Sequence, residues 1–266
     1  MSHAAAESFS ATLNRLVPRD GAFLSEPQGD WTQGRTLFGG LLAALAAAAA
    51  RDAFPDLPPL RSAQLAYLAP ATPELSLRPA LLRAGKSSSF VRVDMQAAGE
   101  LALTATLMFG SARRSSHLYR GLAFPDVAPP GQLPDYFDPL FAPGFSRQFD
   151  ARLAAGARPV SGDANPEVLL WLRHRDSAAP DDIRSILALA DVPPPGAMAM
   201  FAKPAPVSTM TWAADILTDC FHGNGWHLMQ VQTESVGDGY SSQRMTLWSS
   251  AGEPAVAARQ TAAIYT

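Results

Sequence analysis

The chain has 266 residues, of which 47% are hydrophobic and 17% charged, with a formal net charge of −3. That length holds one large domain or two ordinary ones, and the apolar content supplies a sizeable core and excludes extensive disorder. The near-neutral charge, with 21 scattered Lys and Arg, gives no electrostatic footprint for nucleic acid, and one cysteine, Cys220, permits neither an intrachain disulfide nor a thiolate metal cluster.

The first twenty residues lack a cationic segment followed by an apolar one, so no secretory signal is read there. Residues 39–50 form the longest apolar run, well short of the roughly 20 residues a membrane span requires. A cytoplasmic protein without a membrane span is expected, with Cys220 as a small buried residue. The stretch "LLAALAAAAARDAF" (41–54) is rich in the strongest helix formers and has no β-branched residue, so it predicts a helix. With no polar face, that helix must be enclosed by other structure. Residues 61–69, 75–85, 88–99 and 101–110 read as strands separated by Pro- and Gly-bearing turns, which suggests an antiparallel sheet curled around the helix. The many alanines fit a tightly curved enclosure.

Residues 111–143 are Pro-rich and aperiodic, and read as a connector between domains 1–110 and 144–266. The pattern then restarts: strands are expected at 146–153, 167–176, 208–217, 226–236, 240–250 and 254–266, and a helix at 180–191. "LLRAGKSSSFVRVDMQAAGELALTATLMF" can be laid over "TESVGDGYSSQRMTLWSSAGEPAVAARQTAAIY", each with a Gly before a Ser pair, a strand, an "AG" turn and an Ala/Thr-rich last strand. A duplicated unit explains both the order of elements and these matches.

The segments "WTQGRTLFGGLLAALAAAAA" and "AYLAPATPELSLRPALLRAGKSSSFVRVDMQAAGELALTATLMFG", with "WLRHRD", "LALAD", "GW" at 225–226, "DGYSSQRMTLWSSAGEP" and "ARQTAAIY", carry a resemblance. The chain resembles the acyl-CoA thioesterase II type of double hot-dog protein from about Phe23 to Thr266, apart from the connector. The resemblance implies an α+β fold of two tandem hot-dog domains, each a curled antiparallel sheet wrapping a central helix, forming a pseudo-dimer with one continuous sheet. It further implies hydrolysis of an acyl-CoA to the acid and coenzyme A by water attack, with no cofactor and a homodimer of double hot-dog chains. Such enzymes polarise water with a carboxylate, a hydroxyl and a carboxamide and receive the carbonyl at backbone N–H groups. No covalent nucleophile is needed, so the lack of a G-x-S-x-G elbow does not count against a hydrolase.

Residue by residue, the resemblance carries the carboxamide to Gln260 and the hydroxyl to Thr233. The acid falls to Asp215, the nearest carboxylate on the preceding strand, although the family's Asp-His-Ser sequence is missing and strict register would put Thr211 or Trp212 there. Glu234 or Asp191 could supply the base instead; Asp191 most simply ends its helix, in a place that in hot-dog helices often borders the active site. Gly39 and Gly40 either let a ligand oxygen approach the helix N-terminus or only allow close packing, and both readings stand. Arg83 and Lys86, with Arg244, could meet the phosphates of coenzyme A, and Phe38, Trp212 and Met210 could line an acyl chain. The five histidines, at 3, 117, 174, 222 and 227, show no metal-binding spacing. Two other functions compete: an acyl-ligand binder without hydrolytic chemistry, and a hydratase, which requires a His paired with an acid that "RTLFGG" at the helix entrance does not offer.

Overall fold

The structure, a computed structural model, describes residues 7–265. Residues 1–6 and Thr266 lie outside the described residues, and with them His3 and the end of the last predicted strand. A short helix α1 (Phe9–Asn14) precedes β1 (Val17–Arg19) and β2 (Ala22–Ser25), then the two-residue strands β3 (Thr32–Gln33) and β4 (Thr36–Leu37); none of these is read from the sequence. The long helix α2 (Gly39–Ala53) and strands β5 (Leu60–Tyr67), β6 (Leu75–Ala84), β7 (Ser88–Ala97) and β8 (Glu100–Gly110) follow. After the connector come β9 (Phe149–Gly156), β10 (Glu167–His174), α3 (Ile183–Ala190), β11 (Val207–Ile216), β12 (His227–Gly237), β13 (Tyr240–Ser249) and β14 (Pro254–Ile264).

Twelve strands make one sheet in the order β1-β2-β6-β7-β8-β5-β11-β14-β13-β12-β10-β9. The order is a palindrome about the β5/β11 seam, where Trp212 pairs with Leu65 and Ala213 with Gln64. Two copies of one strand pattern thus meet edge to edge in a continuous antiparallel sheet, and each inner edge satisfies the backbone groups of the other.

Every residue of α2 from Gly40 to Ala50 is buried. Strands β6, β7 and β8 cover one side and α3 covers another, so the all-apolar sequence meets protein on every side. The helix starts at Gly39, two residues before the Leu/Ala run, and its N-cap position, Phe38, makes no side-chain capping bond. Asp182 caps α3 by accepting from the Arg184 N–H at 2.8 Å, and Asp191 follows its last helical residue.

The connector holds a short 3-10 turn but no long element, and it lies against the second half of the sheet. The Trp171 Nε1–H donates to the Ala128 carbonyl at 3.0 Å, and the Trp248 Nε1–H to the Leu122 carbonyl at 3.3 Å. Val127 and Leu133 close a second apolar cluster with Leu169, Trp171, Leu228 and Trp248. This explains why β10 reads "EVLLWLRH" without alternation: Leu170 and Leu172 enter the main core while Leu169 and Trp171 pack under the connector. Cys220 is exposed, in the turn between β11 and β12, rather than buried: the neighbouring Thr218, Asp219 and His222 hold that turn in solvent. No helix among the described residues is long and apolar enough to cross a membrane.

Candidate active site

The inward row of the second half sets the site. Thr233 on β12 pairs with Gln243 on β13, Gln243 with Gln260 on β14, and Gln260 with Trp212 on β11. Because side chains alternate along a strand, directly paired residues share a face, and this face looks toward the helices. Gln243 and Gln260 are 1% and 3% exposed, among the few buried polar side chains in the molecule. The Gln260 Nε2–H donates to Asp191 Oδ1 at 3.0 Å. The Gln243 Nε2–H donates to Gln260 Oε1 at 2.7 Å, and Gln243 Oε1 accepts from the Gly196 N–H at 3.0 Å.

Asp191 is brought there by packing of the C-terminus of α3 on the N-terminus of α2. A Cβ on Gly39 would stand 2.7 Å from Asp191 Oδ2, and one on Gly40 would stand 2.8 Å from the Ala188 carbonyl oxygen. Gly40 is therefore required for the close approach of the two helices, that approach delivers the carboxylate to the first turn of α2, and Gly39 leaves room for the carboxylate itself. The Gly40 N–H donates to it, so Asp191 fills the capping role that Phe38 cannot. Asp191 keeps some exposed surface as a residue, although its carboxyl group is enclosed. Burial pushes its pKa up to about 7, outweighing the hydrogen bonds from Gln260 and Gly40 that favour the charged form. Tyr67 on β5 lies alongside, its hydroxyl donating to the Gly39 carbonyl at 3.3 Å, and burial followed by the Asp191 charge holds its phenol well above the ordinary range.

A carboxyl that titrates near neutrality, an amide donor fixed on it, and a helix N-terminus beside it can accept a proton from water and stabilise developing negative charge on an oxygen. No group of His, Cys, Asp and Glu among the described residues has metal-binding geometry.

Two family models match the chain: the acyl-CoA thioesterase N-terminal domain over residues 27–110 and the acyl-CoA thioesterase C-terminal domain over residues 124–264. The chain belongs to the acyl-CoA thioesterase family. Among solved structures, this thioesterase-family chain is similar to a hot-dog fold protein of unknown function from Alicyclobacillus acidocaldarius, at 24% identity and a TM-score of 0.87 over 97% of this chain and 98% of that one. A putative thioesterase II from Thermobifida fusca YX gives 18% identity and a TM-score of 0.83 over the whole of both chains. An acyl-CoA thioesterase II, TesB2, from Mycobacterium marinum gives 19% and 0.78 over 97% of this chain and 99% of that one. These likenesses establish the double hot-dog fold. No curated protein sequence matches the chain.

Of the residues singled out in the sequence, the structure gathers Gln260, Gly39 and Gly40 around Asp191. Thr233 stands one strand beyond Gln243, its Oγ1 buried without a partner and close to Gly196, rather than against the carboxylate. Asp215 is displaced from the site. It points to the outer face of the sheet, in a groove of about 430 Å³ shared with Arg244 and Arg259, because it lies three residues along β11 from the inward Trp212. Thr211 is likewise exposed, next to a bulge in β11 at Met210. Glu234 is engaged by Arg244 and Arg259 on that outer face, which also takes Arg244 away from any phosphate role at the site. Phe38 is 1% exposed and stacks on Phe145 at 4.1 Å, so it belongs to the core between the halves and does not line a binding surface. Arg83 and Lys86 are exposed at the β6/β7 turn and make no contact with the cluster. The sequence reading passed over Gln243 and Tyr67. A glutamine on a strand that otherwise faces a core was the available signal for the first, and nothing marked the second.

Proposed function

We propose that the chain hydrolyses an acyl-CoA thioester at this cluster, by direct attack of water. The hydrogen bond between Asp191 and Gln260 at the N-terminus of α2 carries the reading. Ionised Asp191 takes a proton from water as its oxygen attacks the thioester carbon. The carbonyl electron pair moves onto oxygen, facing the positive end of α2 at the Gly39 N–H, since the Leu41 and Leu42 N–H groups already donate to the Phe38 carbonyl. The C–S bond then breaks, and the proton held by Asp191 passes to the departing thiolate. A thiol leaves readily, which is why one carboxylate suffices without a covalent intermediate.

Free thiol release from a series of acyl-CoA esters, compared between wild type, Asp191→Asn and Gln260→Ala, tests this. Hydrolysis should fall by 10²-fold or more in Asp191→Asn, within the range general-base removal produces. A binding protein without hydrolysis is favoured by one observation: among the described residues no hydroxyl hydrogen-bonds to Asp191, since Thr233 is offset by a strand, Thr211 faces outward and the Tyr67 hydroxyl donates to the Gly39 carbonyl. If no ester releases thiol while acyl-CoA raises the melting temperature, that second reading holds. Hydration chemistry finds no support in the histidines. His174 bonds to the Ser185 carbonyl and is pushed down to about 4 by burial, and His227 bonds to the Gly225 carbonyl; neither adjoins Asp191.

A further inference from the structure

A carboxamide beside a carboxylate helps only if its NH2 end faces the charge; turned over, its oxygen repels it. Something must therefore decide the orientation of Gln260. A backbone N–H can only donate, so the Gly196 amide obliges Gln243 to present Oε1 to it. Gln243 must then aim its NH2 at Gln260 Oε1, and Gln260 must aim its own NH2 at Asp191. The direction is inherited from one peptide group.

The relay closes on itself. Gly196 and Asp191 lie five residues apart, joined by Val192, Pro193, Pro194 and Pro195, whose prolines stiffen the segment. Gly196 is wedged where a Cβ would meet the Pro166 carbonyl oxygen at 2.4 Å and Thr233 Oγ1 at 2.8 Å, so the donor at the head of the relay cannot drift. The same register in the first half holds Val91, Leu107 and Ala63, all buried and apolar. A buried glutamine at position 243 is thus not a demand of the sheet.

We propose that Gln243 is a positioning residue, which fixes the amide of Gln260 so that the Asp191 carboxylate always meets a donor. The proposal deepens the hydrolase reading and rests on it for its consequence in the reaction. The groups facing Asp191 are Gly39 and Gly40 from α2, Tyr67 from β5 and Gln260 from β14; Tyr67 is the titratable one among them.

The test compares wild type, Gln243→Met and Gln243→Leu, both of which keep the volume and remove the relay, with each also made in a Gln260→Ala background. Two readouts are taken: the pH profile of kcat/KM for thiol release, and a ¹³C carboxyl titration with the Asp191 signal assigned through Asp191→Asn. Loss of the directing bond should move the Asp191 titration and the acid limb upward by about one pH unit and lower kcat about tenfold, with KM changed far less. In the Gln260→Ala background the same substitutions should shift the Asp191 titration no further. An unmoved titration in a folded Gln243 variant, or an equal shift with and without Gln260, overturns the proposal. A wild type that releases no thiol overturns the hydrolase reading instead, and the carboxyl titration still decides the role of Gln243.

Discussion

Asp191 sets two demands in opposition. Enclosure raises its folded pKa to about 7 from an ordinary 3.8, so between those values the unfolded chain loses a proton that the folded chain keeps. Stability therefore falls as pH rises from about 4 to about 7, by a few kcal/mol in order of magnitude, and the penalty is constant above that. Asparagine at this position keeps one oxygen to accept from Gln260 and has no charge to desolvate. Asp191→Asn should melt at a higher temperature than wild type at pH 8, with the difference shrinking toward pH 5, while thiol release is lost; calorimetry at the two pH values checks it. A difference independent of pH would mean the carboxyl ionises normally. For the hydrolysis itself the sign is reversed, because the base must be ionised. In wild type kcat/KM should climb through pH 7, and a flat profile from pH 5 to 8 would exclude Asp191 as the base.

At the scale of the element, the two glycines that open α2 divide their work. Replacing either by alanine gains roughly 1 kcal/mol of helix propensity. At Gly40 the new methyl meets the Phe38 ring at 2.6 Å and the Ala188 backbone oxygen at 2.8 Å, and overpacking costs of about 1–3 kcal/mol outweigh that gain. At Gly39 the nearest obstacle is the end of the Asp191 side chain, which can turn aside, and the Tyr67 ring at 3.2 Å has to give by only a few tenths of an ångström. Gly40→Ala should thus lower the melting temperature, whereas Gly39→Ala should hold it nearly level and cut thiol release; equal effects on both quantities would show that the pair serves packing alone. The sequence made α2 legible because Leu and Ala leave it no polar face, and the strand pattern made its wrapper legible for the same reason. It left the acid ambiguous. Asp215 and Asp191 are both plausible by residue type, and only the pleat of β11, with Trp212 inward and Asp215 outward, separates them. The glycine pair itself is visible in the sequence, but the helix that Gly40 admits is not, since the partner, Ala188, lies about 150 residues away.

Across the whole molecule, duplication built a symmetric sheet but not symmetric chemistry. The second half places Gln243, Gln260 and Trp212 in one row, and the first half places Val91, Leu107 and Ala63 in the corresponding row. One row can orient a carboxylate and the other can only pack. The connector adds to the asymmetry, because it covers the outer face of the second half, under which Trp171 and Trp248 are buried. A symmetric pair of sites would bind two substrates per chain; this chain should bind one. Titration with a thioether analogue of acyl-CoA, which cannot be hydrolysed, should saturate at one equivalent per chain in calorimetry, and Gln260→Ala should weaken that one event. A second equivalent of equal affinity would require an anchoring group in the first half, and the Val91, Leu107 and Ala63 row offers none, since an unmatched polar group buried against apolar side chains costs at least 1–3 kcal/mol.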